Sequence, residues 1–307
     1  GRLADTLRRL AEAGPEDFYR GKIADLLLRD LAGSAFQADD LSGYAAGVHE
    51  VEGIPYRGKR VHLAAGLTGA PTFARALKTI EASLDPAAGL NEAAYVAWAE
   101  ALRESYAHRF AALGHTAPAD ELACTTHLSV VDAAGNMVSL TNTLLERFGS
   151  RMMGPETGIL FNNGLMWFDP EPGRANSIAP GVRPLSNMCP TIVTENGAPI
   201  FACGASGGRR IVPACFQMTS MAVDFAMDLE TIYATPRIDV SDLDAVMADV
   251  RLPDRVVDAL AARFSTTRTV QSVGMRPFAN PQAVMRRNGV NTGAAVAEMA
   301  TSLAVAQ

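Results

Sequence analysis

Residues 124–143 read CTTHLSVVDAAGNMVSLTNT, and this stretch limits the fold more than any other. Residues 125–131 and 137–143 are rich in β-branched side chains and alternate in polarity, which is the pattern of half-buried strands. The D-A-A-G-N between them has turn chemistry. The simplest closure pairs Val131 with Met137, and every later pair follows from it. Thr125 then lies opposite Thr143, His127 opposite Thr141, and Ser129 opposite Ser139. Facing residues of an antiparallel pair hold their Cβ atoms about 4.5–5.5 Å apart, so one face of this hairpin carries a ladder of hydroxyls. Read only as propensity, such a face is an exposed one with good strand formers.

The segment CTTHLSVVDAAGNMVSLTNTLLERFGS, followed in order by TGILFNNG, RPLSNMCPTIV and CGASGGRRI, closely resembles the start of the small subunit of γ-glutamyltransferases (γ-glutamyltranspeptidases). The likeness covers residues 125–238 and extends more weakly to the rest. It implies an N-terminal nucleophile hydrolase: an α+β chain folded as a four-layer αββα sandwich. Residues 1–124 would be the C-terminal part of the large subunit and residues 125–307 the small subunit, both sharing one core. The resemblance implies self-cleavage between Cys124 and Thr125, with Thr125 as the nucleophile and Thr143 orienting it. The chemistry suits these residue types. A threonine hydroxyl needs an adjacent base at neutral pH, and a freed α-amino group, with a reference pKa of about 7.7–8.0, sits on the same residue. Thr126 matches on spacing alone, but alternation turns it to the opposite face. The resemblance gives His127 no catalytic task, and it is read as a structural residue facing Thr141. The ten residues GHTAPADELA (114–123) read as a linker that could open after cleavage.

A strand, a glycine-rich loop and a helix follow in 200–225. The loop Gly204-Ala205-Ser206-Gly207-Gly208 lacks the Walker lysine and G-x-G-x-x-G spacing of phosphate cradles. It matches G-x-S-x-G, yet the hydrolases built on that elbow place a histidine after the serine in chain order. All five histidines here precede Ser206. By resemblance, the N–H groups of Gly207 and Gly208 form an oxyanion hole, where one such donor is worth about 2.7–4 kcal/mol in the transition state. Arg209 and Arg210 are read as salt-bridge or carboxylate partners.

The substrate positions depart from the family. Ser186 and Asn187 stand where relatives carry two serines that hold the donor's α-carboxylate. Leu145, Gly164 and Trp167 stand where relatives carry an asparagine, a glutamine and an aspartate that hold its α-amino group. An ammonium buried without polar partners is costly, so these positions favour an acyl group without that charge. Two activities are therefore expected from the resemblance: hydrolysis or transfer of γ-glutamyl groups, and amide hydrolysis on a glutaryl or oxamate-type acyl group. A family scaffold without activity is a third reading.

The composition places narrower bounds. The chain of 307 residues is 48% hydrophobic and 20% charged, an ordinary globular balance. Its net charge of −6 and the lack of a Lys/Arg cluster argue against a nucleic-acid partner. No stretch free of charged residues approaches the ~20 residues of a membrane helix. Cys124, Cys189, Cys203 and Cys215 show no C-x-x-C spacing, so they are read as small buried residues rather than metal ligands or a disulfide framework. No cofactor or metal motif is present. The expected partners are a small amide substrate and the two fragments of the chain's own precursor, as a heterodimer or a higher oligomer. The family's large subunit begins well upstream of residue 1, so an N-terminal part is expected to be missing, and the sequence leaves cytoplasmic and periplasmic locations both open. Further expectations are a helix marked by Leu3, Leu7 and Leu10, a second with Ile23, Leu26, Leu27 and Leu31 inward, a strand pair near Gly53 and Gly58, and a long helix over 91–113. A hairpin turning at Asn196-Gly197, an amphipathic helix over 254–264, an extended stretch over 269–273 and a strand turning at Asn288-Gly289 complete them.

Overall fold

The computed structural model describes residues 1–114, 123–272, 277–298 and 301–306. Two compact units emerge, and they do not follow the chain linearly: residues 1–50 with 144–164, and residues 51–143 with 165–307.

The smaller unit starts with helices α1 (Arg2–Ala13), α2 (Glu16–Arg20), α3 (Lys22–Asp30) and α4 (Ala38–Ser42). The expected apolar spacing holds for α3, where Ile23 and Leu27 are buried with Leu41 in a small core that Leu10, Phe18, Ile159 and Phe161 flank. Leu3 and Leu7 of α1, by contrast, are about half exposed. Polar groups fasten the 144–164 segment here. The Asp30 carboxylate accepts from the Glu156 and Thr157 N–H groups at 2.7 and 3.0 Å and from the Thr157 hydroxyl at 2.6 Å. Because these donors favour the charged form, its pKa falls below the usual carboxylate value even against the opposing effect of burial.

The larger unit contains β1 (Ile54–Tyr56), β2 (Lys59–Leu63), helices α5 (Ala70–Ser83) and α6 (Glu92–His108), β3 (Ala123–Val131) and β4 (Met137–Glu146, whose last residues pass into the smaller unit). Then come β5 (Thr191–Glu195), β6 (Ala198–Ser206), α7 (Ile211–Val223), α8 (Leu229–Ala234), β7 (Ile238–Asp239), β8 (Val246–Asp249), α9 (Asp254–Ala261), β9 (Thr266–Thr269), β10 (Asn280–Arg287) and β11 (Val290–Ala295). Among the described residues the strands form a six-stranded sheet ordered β1-β2-β5-β6-β10-β11, the hairpin β3-β4, and a small sheet β7-β8-β9. The Asn-Gly turns fall where expected. Asn196 and Gly197 have φ of 50° and 82°, and Asn288 and Gly289 have 53° and 78°, the left-handed pair that two-residue hairpins demand.

Alternation along β6 gives the large sheet two different faces. Phe201, Cys203 and Ala205 join the main core with Ile211, Val212, Cys215 and Phe216 of α7, Phe73 and Leu77 of α5, and Trp98 and Leu102 of α6. Gly204 faces the other way, toward the hairpin. The order in this unit is thus helices, sheet, hairpin. The hairpin's outer face bears Leu128, Val130, Val138 and Leu140, each about half exposed. Cys189, Cys203 and Cys215 are free and buried, as small core residues; burial pushes the Cys189 thiol up to about 12. The expected long helix ends differently from its sequence pattern: α6 gives way at residue 109 to a single π turn over Arg109–Leu113. Most of the expected linker, residues 115–122, lies outside the described residues. No described helix is long and apolar enough to cross a membrane.

Candidate active site

The hairpin register is the one that simple closure demands. The Asp132 N–H donates to the Asn136 carbonyl at 3.0 Å, and Gly135 turns back to Asp132 with φ of 93°. The Asp132 carboxylate also accepts from the Asn136 N–H at 2.8 Å, which locks the turn. Counting outward, Thr141 bonds the His127 Nδ1 at 2.9 Å, and the Thr125 hydroxyl donates to the Thr143 hydroxyl at 3.0 Å. Thr126 is exposed while Thr125 is half-buried, so the two adjacent threonines do face opposite ways. Cys124 and Thr125 both lie within β3.

The hydroxyl face lies on the large sheet. Ser139 donates to the Cys203 carbonyl at 2.9 Å and Ser129 to the Gln282 carbonyl at 3.3 Å. Between them the His127 ring packs directly on Gly204, where any Cβ would stand 2.2 Å from the ring carbon Cε1. Burial drives the His127 pKa down to about 4, because a low-dielectric site penalises the imidazolium. Neutral at physiological pH and bonded to Thr141 and to Ser129 at 3.0 Å, it acts as a spacer between sheets.

Three residues after Gly204, the chain leaves β6 through Gly207 and Gly208, with φ of 141° and 58°. A side chain at 207 would bring its Cβ within 2.8 Å of the Ala279 Cα, so backbone conformation and space both require glycine there. Gly208 begins a short 3-10 turn to Arg210, which leads into the N-terminus of α7. That helix end favours negative charge. The Arg209 carbonyl accepts from the Tyr106 hydroxyl. The Arg209 guanidinium lies over the Phe110 ring, 5.5 Å from its centroid, and pairs with no carboxylate among the described residues. Arg210 is near the buried Asp239, whose pKa burial raises above the usual carboxylate value against the opposing Ser241 hydroxyl bond and the Arg210 charge.

Ser186 and Asn187 are buried. The Ser186 N–H and hydroxyl both donate to the Leu67 carbonyl at 3.0 Å. Beneath them lies Arg109, fully buried, bonded to the Ser186 carbonyl at 2.9 Å and the Asn187 Oδ1 at 3.0 Å. The sequence reading missed Arg109. Its signal was spacing: it follows Leu102 and Tyr106 on the inward face of the helix, where an arginine is out of place. The three positions that differ from the family stand as follows. Leu145 is buried near the end of β4 with a left-handed φ of 75°. Gly164, in the smaller unit, donates to the Asn162 Oδ1 at 2.8 Å. Trp167, in the larger unit, is half-buried at the end of a 3-10 turn, and its carbonyl accepts from Asn176 at 2.6 Å.

A sequence profile of the family described as Gamma-glutamyltranspeptidase matches residues 1–122 and 114–306. The chain belongs to this family. It is 33% identical over 300 residues to the Acylase ACY 1 proenzyme of Pseudomonas sp. (strain V22), covering 85% of this chain and 53% of that protein. It is 28% identical over 344 residues to the Glutathione hydrolase proenzyme of Pseudomonas sp. (strain A14), covering 95% and 58%. The crystal structure of cephalosporin acylase from Bacillus halodurans superposes with a TM-score of 0.84 over 96% of this chain and 60% of that one, at 23% identity, which speaks to the fold. The chain spans about half the length of the curated relatives it matches. Membership in the γ-glutamyltranspeptidase family places its α+β fold among the N-terminal nucleophile hydrolases.

Proposed function

We propose that the protein is an autoprocessing amide-cleaving enzyme that carries an acyl group on Thr125. The observation that supports this most is the 3.0 Å bond from the Thr125 hydroxyl to the Thr143 hydroxyl, set by a hairpin with little freedom to shift. Scission between Cys124 and Thr125 divides the chain into a 1–124 fragment and a 125–307 fragment and converts the Thr125 amide into an α-amino group. That amine takes the hydroxyl proton as the oxygen attacks the substrate carbonyl carbon, and it returns the proton to the departing amine. Gly207 and Gly208 N–H groups hold the developing oxyanion. Water, or an acceptor amine, then attacks the ester carbon and frees Thr125.

Ser186 and Asn187 stand where relatives hold the donor's α-carboxylate and are read as the polar end of the acyl pocket; for Ser186 to serve a terminal carboxylate, its hydroxyl proton must turn from the Leu67 carbonyl. A γ-glutamyl group and a glutaryl group both carry such a carboxylate. In the sequence, Leu145, Gly164 and Trp167 stand where relatives carry polar side chains for an α-amino group, and these replacements favour the glutaryl type, because an ammonium buried without polar partners is costly. The similarity to a proenzyme called an acylase is in line with this.

The test uses the full-length protein. Intact mass should give two fragments divided between Cys124 and Thr125, and Thr125→Ala should give one uncut, inactive chain. Release of p-nitroaniline should be faster from glutaryl-p-nitroanilide than from γ-glutamyl-p-nitroanilide. Normal scission in the Thr125→Ala variant would sink the nucleophile assignment, and a preference for the γ-glutamyl substrate would reverse the acyl assignment.

A further inference from the structure

A line of hydrogen bonds runs from the inward face of α6 to the Gly207–Gly208 turn. It starts at the buried Tyr106, whose hydroxyl donates to the Arg209 carbonyl. Burial pushes the Tyr106 pKa above the ordinary phenol value, so the group stays a donor at neutral pH. The Arg209 carbonyl lacks the donor that a regular α-helix supplies. That donor would be the N–H four residues on, and there stands Pro213, which has none. The Arg209 carbonyl shares one planar amide with the Arg210 N–H, and this N–H donates to the Gly207 carbonyl at 3.1 Å. The Gly207 carbonyl in turn shares its amide with the Gly208 N–H. These amides are trans, and in a trans amide the N–H and the carbonyl point in opposite directions. With the Gly207 carbonyl drawn toward Arg210, the Gly208 N–H is aimed away from α7. Ala279 backs the turn on another side, its Cα 2.8 Å from the place of a Gly207 Cβ.

Each link acts on the next in two ways. The bonds fix the tilt of both amide planes, and hydrogen bonds in series polarise one another by about 10–30% per bond. A donor received at an amide's carbonyl therefore strengthens its N–H as a donor at the other end. We propose that Tyr106 is a positioning residue for the oxyanion: through the Arg209–Arg210 and Gly207–Gly208 amides, its hydroxyl aims and strengthens the Gly208 N–H. This rests on the reading of Gly208 as an oxyanion donor. The hydroxyl acts through two amides and not on the substrate, so its loss slows the chemistry and leaves substrate affinity alone.

The experiment compares wild type, Tyr106→Phe and Phe110→Leu as full-length proteins, with intact mass and melting temperature recorded for each. Phenylalanine removes the hydroxyl and keeps the ring. Phe110 packs on the Tyr106 ring at 5.7 Å between centroids and under the Arg209 guanidinium, so Phe110→Leu loosens the same contact without removing the hydrogen bond. The substrate is whichever of glutaryl- and γ-glutamyl-p-nitroanilide wild type cleaves faster. Forming and breaking the acyl-enzyme both pass through an oxyanion at the same place, so both steps slow together. For Tyr106→Phe, kcat should fall about fivefold or more, short of the roughly 100- to 1,000-fold that loss of a direct donor costs, with KM within twofold. Phe110→Leu should keep kcat within twofold, whatever its melting temperature. A wild-type kcat in Tyr106→Phe, a loss confined to KM, or an equal kcat loss in Phe110→Leu would overturn the proposal. A second readout needs no turnover. Gly207-Gly208 is the only Gly-Gly pair in residues 1–307, so glycine labelled at the carbonyl carbon and the nitrogen isolates the Gly208 amide in NMR spectra, identified by its loss in Gly208→Ala. The Gly208 nitrogen should move upfield in Tyr106→Phe and hold its place in Phe110→Leu; an unmoved nitrogen in Tyr106→Phe defeats the relay. If Tyr106→Phe does not accumulate, 3-fluorotyrosine at position 106, a stronger donor of nearly the same shape, should move that nitrogen downfield, and no movement again counts against the relay. Wild type that releases p-nitroaniline from neither anilide would instead remove the amide-cleaving reading, and the Gly208 nitrogen would still decide the relay.

Discussion

With its ring buried between β3 and Gly204, His127 accepts no proton until about pH 4. The unfolded chain takes that proton near pH 6.5. Above 6.5 neither state is charged and the histidine is neutral to stability. As the pH falls from 6.5 toward 4 the unfolded state gains a proton that the folded state refuses, so stability declines through that window. At pH 4.5 the loss from this residue alone comes to about 2.5 kcal/mol. Urea unfolding of wild type and His127→Gln at pH 7 and pH 4.5 measures it. The drop between the two pH values should be smaller in the variant by about that amount, and equal drops would mean that the ring is already solvated. At this scale the sequence was half legible. Thr125, Thr143 and His127 could be placed because a hairpin fixes its register by counting. Arg109 could not, since its four acceptors come from residues 68, 72, 186 and 187, far apart in the chain.

The seat of β3 on β6 is the contact between elements on which the site depends. Gly204→Ala would put a Cβ 2.2 Å from the His127 ring, an overpacking that costs about 1–3 kcal/mol. His127→Ala opens the space that the new methyl needs. The double variant should therefore be more stable than the sum of the single losses by at least about 1 kcal/mol, read from denaturation midpoints. Additive losses would show that the two do not meet. Elements closed by local turns, β3-β4, β5-β6 and β10-β11, were readable from alternation and from the D-A-A-G-N and Asn-Gly turns. The small sheet was not. Its β8–β9 pair is parallel, Val246 with Thr266 through Asp249 with Thr269, and a parallel partner is joined by a crossover rather than a turn. The extended stretch expected over 269–273 meets the observed β9 at Thr269, and its last residue, Val273, lies outside the described residues. The 147–190 segment, rich in Gly, Pro and Asn, holds only a 3-10 turn at Gly164–Trp167 and isolated bridges among its described residues, in keeping with its composition.

At the scale of the molecule, the proposed cut at Cys124–Thr125 runs through one sheet. β1 and β2 come from the first fragment, and β5, β6, β10 and β11 from the second. The seam is the β2–β5 pair, Arg60 with Thr194 through Leu63 with Thr191. On the opposite side α5 and α6 share the core with α7. The two fragments should therefore co-elute in native size-exclusion chromatography and separate only in denaturant; separate elution without denaturant would contradict the shared core. The seam also fixes an order of events. While the chain is whole, β2 searches for β5 as part of one polymer, at a high effective concentration that does not depend on dilution. Two pieces made apart would have to meet by diffusion, each with an unpaired strand edge open to association with other chains. Scission after the sheet has closed avoids that search altogether, so a nick that looks like damage costs the assembled protein little, and the same nick made before folding would turn a unimolecular problem into a bimolecular one.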